Sequence, residues 1–250
     1  MRAVTALSQF VAFAAILAGA VPAWAGASFD IVVEAPGYSY KGKVLLEEKR
    51  LRIDISEGNH PLFNGNISII SREAGTEVLV IDHASKTYFQ RQVGHIGGPL
   101  PASRGLGKTR ALNTSVDKSR ERLTDAGPVT ERHTITARYD LDMEVMGEKL
   151  DAKVTMEAQF DIDPTIDQYA HPWGLQFAAK TGFQRLDNAL ARAIPNRLPL
   201  RQVVTFSRQI AGGPVISETM TILVTNVSQE DIADNLFYAP DGYPYQEPVF

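Results

Sequence analysis

The chain has 250 residues, of which 44% are hydrophobic, 8% aromatic and 22% charged. This composition is sufficient for a sizeable core, which excludes wholesale disorder. The net charge of −4 is dispersed, whereas a nucleic-acid binder needs a concentrated basic field. Because the sequence has no cysteine, it excludes disulfides, thiolate metal sites, cysteine nucleophiles and a lipid-modified cysteine.

The first 25 residues predict a cleaved export signal. Arg2 supplies a positive charge, residues 11–21 form an apolar run, and Ala23-Trp24-Ala25 is an A-x-A cleavage site before Gly26. The apolar run is shorter than the ~20 residues that a membrane-spanning helix needs. We therefore expect a soluble periplasmic protein with no lipid anchor and no membrane span, whose membrane contact is limited to the surface.

Short β-like runs separated by turn residues follow the leader. Leu51, Ile53 and Ile55 alternate with polar neighbours, as in a strand with one face in the core. Residues 78–81 are apolar on both faces and predict a central strand that is covered on two sides. The predicted strands of this half of the chain are 28–35, 39–47, 49–55, 67–70, 78–81 and 87–89.

Residues 93–115 are rich in glycine and proline and show no periodicity. We predict a long mobile loop there, within a single domain that spans residues 26–250. A division into two domains near residues 93–128 is the alternative. Residues 102–109 resemble a phosphate-binding loop, but no strand-like run precedes them and no helix-like run follows, so we interpret the match as chance.

The clearest pattern is a long hairpin. Apolar residues occupy odd positions from 135 to 145 and even positions from 150 to 162, which predicts two antiparallel strands with a turn at Gly147-Glu148. The predicted register pairs Val145 with Leu150, Leu141 with Val154, Tyr139 with Met156, Arg138 with Glu157 and Asp142 with Lys153. Apolar pairs then share one face, and most charged pairs on the other face have opposite signs.

The periodicity changes after Pro164. Phe183, Leu186, Leu190 and Ile194 recur at helical spacing and predict an amphipathic helix over residues 175–194. A second hairpin is predicted from residues 203–210 and 215–224. The fold class is therefore mainly β, an antiparallel sheet with one main helix.

Residues that could carry chemistry are scattered. The histidines show no metal-ligand spacing, and an acidic group on the polar face of the hairpin lacks the spacing of a calcium loop, so we predict no metal site and no cofactor. That acidic group is Asp140, Asp142, Glu144 and Asp151. Asp82, His83 and Ser85 are close in sequence, and a hydrolase that uses them is one functional hypothesis. An Asp-His pair between strands is more typical of a turn.

Large apolar residues of the hairpin and of the helical region form the candidate ligand site. Each is by itself typical of a core, but methionine and aromatic side chains that face an amphipathic helix also line ligand cavities where sheet and helix stand apart. The sequence leaves both interpretations open. The candidates are Tyr139, Leu141, Met143, Met156, Phe160, Trp173, Phe177, Phe183 and Leu186.

Three short segments carry a resemblance to a known family. They are residues 38–54 (YSYKGKVLLEEKRLRID), 77–89 (EVLVIDHASKTYF) and 235–243 (NLFYAPDGY). Together they resemble the LolA/LolB-like superfamily of periplasmic lipoprotein carriers and receptors, and are most similar to its uncharacterised DUF4412-type members. The resemblance implies a curved antiparallel half-barrel with the helix in its concave face and acyl chains or other apolar ligands between them.

Three functional hypotheses follow. The first is a non-catalytic exported protein that binds or carries a hydrophobic ligand, such as a lipid, an acyl chain or a lipid-linked partner. The second is an envelope interaction or scaffold protein whose helix fills the sheet and leaves no cavity. The third is the hydrolase based on Asp82, His83 and Ser85.

Overall fold

The computed structural model describes residues 26–47, 50–60, 63–72, 77–92, 107–122, 129–145, 148–163, 188, 198–210 and 212–247. The strands are β1 Gly26–Ala35, β2 Tyr38–Glu47, β3 Arg50–His60, β4 Phe63–Asn64, β5 Ile67–Ser71, β6 Glu77–Asp82, β7 Thr87–Gln92, β8 Gly107–Arg122, β9 Val129–Val145, β10 Glu148–Ile162, β11 Pro199–Ile210 and β12 Val215–Glu230. A 3₁₀ helix follows at Asp234–Phe237.

Eleven of the strands form one antiparallel sheet in the order β7-β6-β5-β3-β2-β1-β12-β11-β10-β9-β8, and β4 pairs only with β3. The sheet is curved, and it is open because its edge strands β7 and β8 do not pair with each other. The chain runs from β1 outward to β7, resumes at the opposite edge with β8, and returns to the middle, where β12 pairs with β1. The prediction of a mainly β, antiparallel fold is confirmed. No helix in the described part of the chain is long and apolar enough to cross a membrane.

Two faces of the sheet bury apolar side chains. One face carries an apolar cluster that runs across β1–β3 and β9–β12 and includes Phe29, Val44, Met156, Phe160 and Val204; we call it the Met156 face. On the opposite side, Leu45, Ile70, Leu79 and Ile81 pack against Ile232 and Phe237 from the segment after β12; we call this the Phe237 face. The two faces follow from the alternation of side chains along each strand.

Residues 78–81 are buried on both sides, as their apolar run predicts. β6 lies next to the edge strand β7, however, and is not central in the sheet. Its second cover comes from the C-terminal segment on the Phe237 face. The apolar run therefore predicted the burial of β6 correctly. On the Phe237 face, however, β6 is buried by the segment after β12 and not by further strands.

The predicted register of the long hairpin is wrong by two residues. Val145 pairs with Glu148, so that Tyr139 lies opposite Val154 and Met156 lies opposite Ala137. Side chains alternate with a period of two, so a shift of two residues keeps every side chain on its face and leaves the hydrophobic pattern unchanged. The charged partners do change: Lys153 lies opposite Asp140 and not Asp142.

The second predicted hairpin is confirmed as β11 and β12, both longer than the sequence indicated. Residues 107–115, predicted as the end of a loop, instead belong to β8. β8 is the last strand of the described sheet, and its residues 113–117 are all exposed. Exposed side chains on both faces of residues 113–117 give no apolar alternation, which explains the missed strand. Residues 93–106 and the predicted helix at 175–194, apart from the exposed and helical Asn188, lie outside the described residues.

Candidate functional site

Three of the candidate ligand residues lie together on the Met156 face. Tyr139, Met156 and Phe160 are buried in the same apolar cluster, on the adjacent strands β9 and β10. Leu141 and Met143 belong to β9, where their backbones lie opposite Ala152 and Leu150. The remaining candidates, Trp173, Phe177, Phe183 and Leu186, lie outside the described residues. The structure therefore brings Tyr139, Met156 and Phe160 to one face.

Two polar residues that the sequence pattern did not single out interrupt this apolar face. His133 on β9 and Gln202 on β11 lie on either side of Phe160 in one cross-strand row. Their exposed fractions are only 3% and 1%. The row continues through Ile222 and Val33. Each polar residue extends its strand's apolar alternation by one step, His133 before Ile135 and Gln202 before Val204, and that position is the signal that would have identified them.

The hydrogen-bonding capacity of this pair is largely unused. In the structure, neither Nε2 nor Oε1 of Gln202 has a hydrogen-bond partner, although both atoms are buried. His133 places Nε2 at 2.5 Å from Glu131 Oε1, while its buried Nδ1 has no partner. A buried polar group left without a partner costs about 1–3 kcal/mol, so such groups in a packed sheet need an explanation.

Two tyrosines of β2 lie on the same face at the far side of the row. The Tyr38 and Tyr40 rings stack with centroids 6.4 Å apart, and the Tyr38 hydroxyl lies 3.8 Å from Met220 Sδ. Burial, with a smaller contribution from Tyr38, raises the pKa of Tyr40. Tyr40 is therefore a neutral phenol at physiological pH, and this side of the face carries no tyrosinate charge.

On the reverse side of the same strands, a carboxylate ties three strands together. Asp161 on β10 is almost completely buried and contacts Arg132 of β9 through both oxygens, at 2.6 Å to Nε and 3.1 Å to Nη2. Arg201 of β11 lies 3.7 Å away. The three residues occupy one cross-strand row. This fork-shaped pair holds the strands in register directly behind Phe160.

The residues of the hydrolase hypothesis do not form a relay. Asp82 Oδ1 accepts hydrogen bonds from the backbone N–H groups of Ala84 and Ser85, at 2.8 and 3.2 Å. Partial burial raises the pKa of Asp82, but the hydrogen bonds from Ser85 and Ala84 outweigh it, so the pKa lies below its usual value. The Ser85 hydroxyl pairs with that of Thr87. These are the contacts of a turn.

His83 instead contacts a different serine, Ser68, whose Oγ lies 2.7 Å from His83 Nε2. Ser68 donates to Asp54, and Arg52 Nη2 donates to Ser68 at 3.0 Å. Because the single hydroxyl proton goes to Asp54, His83 Nε2 acts as a donor to Ser68. In a Ser-His-Asp triad the histidine accepts the serine proton, so this arrangement is reversed, and Ser68 is fully buried.

Residues 38–54, 77–89 and 235–243 meet on the Phe237 face. Arg52 donates to the carbonyl of Leu236 at 2.7 Å, and the Arg50 guanidinium lies 4.6 Å from the centre of the Phe237 ring. Tyr88 exchanges backbone hydrogen bonds with Pro244 and Gln246, at 3.1 and 2.8 Å. The C-terminal segment therefore crosses this face and pairs with the edge strand β7.

Among the described residues, no group of three or more histidine, aspartate or glutamate side chains is placed to hold a metal ion. Neither a protein-family model nor a curated protein sequence matches the chain.

Proposed function

We propose that the protein is an exported, non-catalytic carrier that binds a hydrophobic ligand, such as a lipid, an acyl chain or a lipoprotein, on the Met156 face. The supporting observation is the apolar cluster shared by β9–β12, four adjacent strands of 12–17 residues. On β10 the buried apolar positions run from Ala152 to Ile162, roughly 33 Å at ~3.3 Å per residue. A long apolar strip of this kind suits an extended acyl chain.

The resemblance to periplasmic lipoprotein carriers and receptors also supports the proposal. The segments that carry it, 38–54, 77–89 and 235–243, are far apart in the sequence but are in contact on the Phe237 face. The proposed place of action is the periplasm, after removal of residues 1–25.

Native mass spectrometry of the protein purified from its own compartment tests the carrier proposal. We expect a population with added mass that disappears on denaturation, because a bound lipid is retained by an apolar site and released on unfolding. The same protein refolded from denaturant should bind the neutral apolar dye Nile red. No added mass and no dye binding would contradict the carrier proposal.

A scaffold with a filled core is the second candidate, and the burial of the Met156 face favours it. Met156 and Ile135 have no exposed surface, and Phe160 has 1%. In that case the apolar surface stabilises the fold and no ligand enters. Nile red binding distinguishes the two candidates directly, because a filled core gives the dye no site.

A further inference from the structure

In the row His133–Phe160–Gln202 of the Met156 face, packing within the chain leaves three buried polar atoms without hydrogen bonds. Gln202 offers two N–H donors and one carbonyl acceptor, none of which has a partner in the structure. An apolar residue would fill this position without that penalty. The Gln202 amide is therefore a position where a bound molecule could supply the missing hydrogen bonds.

The histidine on the other side of Phe160 defines what that partner must offer. Glu131 is a carboxylate that only accepts hydrogen bonds, so His133 Nε2 carries the proton between them. In the neutral tautomer with the proton on Nε2, His133 presents Nδ1 as an acceptor. The pair together offers N–H donors from Gln202 and two acceptors, Gln202 Oε1 and His133 Nδ1.

The complement of this set is a neutral group that both donates and accepts hydrogen bonds. An anionic head group fits poorly, because it has no hydrogen to donate and lies near the Glu131 carboxylate. Within the described parts of β9–β12, the basic side chain on this face is Arg208, whose Nη2 lies 3.7 Å from Glu218 Oε1 and whose buried Nε has no hydrogen-bond partner. Arg208 is six residues from Gln202, or roughly 20 Å along an extended strand.

We infer that Gln202 and His133 bind the neutral polar head of an amphiphile, a carboxamide or hydroxyl, whose apolar tail lies along the Met156 face. His133 and Gln202 lie on strands separated by β10, with backbones about 10 Å apart. A small head group over Phe160 is within reach of both side chains. This inference rests on the proposed carrier function and specifies the class of ligand.

Displacement of Nile red by decanamide and by decanoate tests the inference, with both ligands at pH 8. We expect decanamide to displace the dye from the native protein at lower concentration than decanoate does. In Gln202→Met, the affinity for decanamide should fall about tenfold, the value of roughly one net hydrogen bond. Affinities for decanoate and Nile red should stay within about twofold, since methionine keeps the length and the apolar stem of the side chain.

Gln159→Met is the matched control, because Gln159 lies on β10 with its side chain on the opposite face, bonded to Glu157. It should leave all three affinities unchanged. His133→Leu, as a second variant, should also weaken decanamide selectively. If Nile red binds but Gln202→Met leaves the decanamide affinity unaltered, the head-group assignment is wrong and the carrier proposal stands. If the native protein neither retains a lipid in native mass spectrometry nor binds Nile red, the carrier proposal itself fails.

Discussion

Arg132 and Asp161 form a two-pronged ion pair across β9 and β10, with the carboxylate almost wholly inside the protein. Arg132→Met should remove the fork and leave Asp161 with only the more distant Arg201. We expect the free energy of unfolding to fall by about 2–3 kcal/mol, below the full cost of an orphaned buried charge because Arg132 is partly exposed. Urea denaturation measures the loss.

Arg138→Met serves as the control for that variant, since Arg138 is on the same strand but exposed and lies opposite Thr155. Its effect should stay within about 0.5 kcal/mol, as for an ordinary surface substitution. Equal losses in the two variants would show that the strand, and not the buried carboxylate, is the sensitive element.

The unsatisfied amide on the Met156 face predicts a stabilising substitution. Gln202→Met in the ligand-free protein should raise the free energy of unfolding by about 1 kcal/mol, because it removes buried polar atoms that have no partners. Gln159→Met on the opposite face should change it by less than about 0.5 kcal/mol. A clear loss of stability in Gln202→Met would indicate that a buried water or another group satisfies the amide.

Met156 tests how tightly the same face is packed. Met156→Ala should cost about 2–5 kcal/mol, since the side chain has no exposed surface and lies opposite Ala137 and Phe206. Val116→Ala on the exposed edge strand should cost less than about 1 kcal/mol. A loss below about 1 kcal/mol for Met156→Ala would mean that this part of the face is loosely filled.

We expect the packing of the C-terminal segment against the sheet to depend on the Phe237 ring. Phe237 is fully buried between Arg50 and the Phe237 face of the sheet, so Phe237→Ala should cost about 3–5 kcal/mol. Hydrogen exchange should show the Tyr88 and Gln246 amides losing protection first, because both bond across the segment. Leu236→Ala, at an exposed neighbouring position, is the control and should leave the two amides protected. Unchanged protection in Phe237→Ala would show that Phe237 does not hold the segment on the sheet.

Asp82 gives the turn between β6 and β7 a dependence on pH. Its pKa is lower in the folded protein than in the unfolded chain, so its stabilising effect is present above about pH 4 and is lost as pH falls through the folded pKa. Asp82→Ala should therefore cost about 1 kcal/mol at about pH 7 and less as pH falls through the folded pKa of Asp82. Asp117→Ala, at an exposed position of β8, is the control and should cost little throughout this pH range. A cost of Asp82→Ala that does not change with pH would contradict a stabilising role for the ionised Asp82 carboxylate.

The sequence predicted which face of a strand is buried, because that depends only on local alternation. It missed features that depend on how strands pair with one another. Tyr139 and Met156 were assigned to one buried face correctly, because that assignment needs only the period of a strand. Their mutual register was not predictable to better than two residues, since every alternative of the same parity buries the same side chains. β8 was missed because an exposed edge strand carries no apolar pattern.

The polar members of the candidate site were missed for a related reason. His133 and Gln202 are ordinary polar residues until the strand order places both beside Phe160. His83 was correctly associated with turn structure, but its partner Ser68 lies 15 residues earlier and on a different strand. Contacts of this kind are set by pairing between strands, which single-strand periodicity does not contain.

The pairing of β1 with β12 has a consequence for how the protein folds. Gly26 lies opposite Glu230, so the first strand acquires its second neighbour only when nearly the whole chain has been synthesised. Contacts this distant in sequence slow folding, because the entropy of closing a very long loop must be lost before the contact is gained. A nascent chain that stops before β12 has two unjoined groups of strands. Completion of the described sheet therefore waits for β12, the strand that joins the two groups.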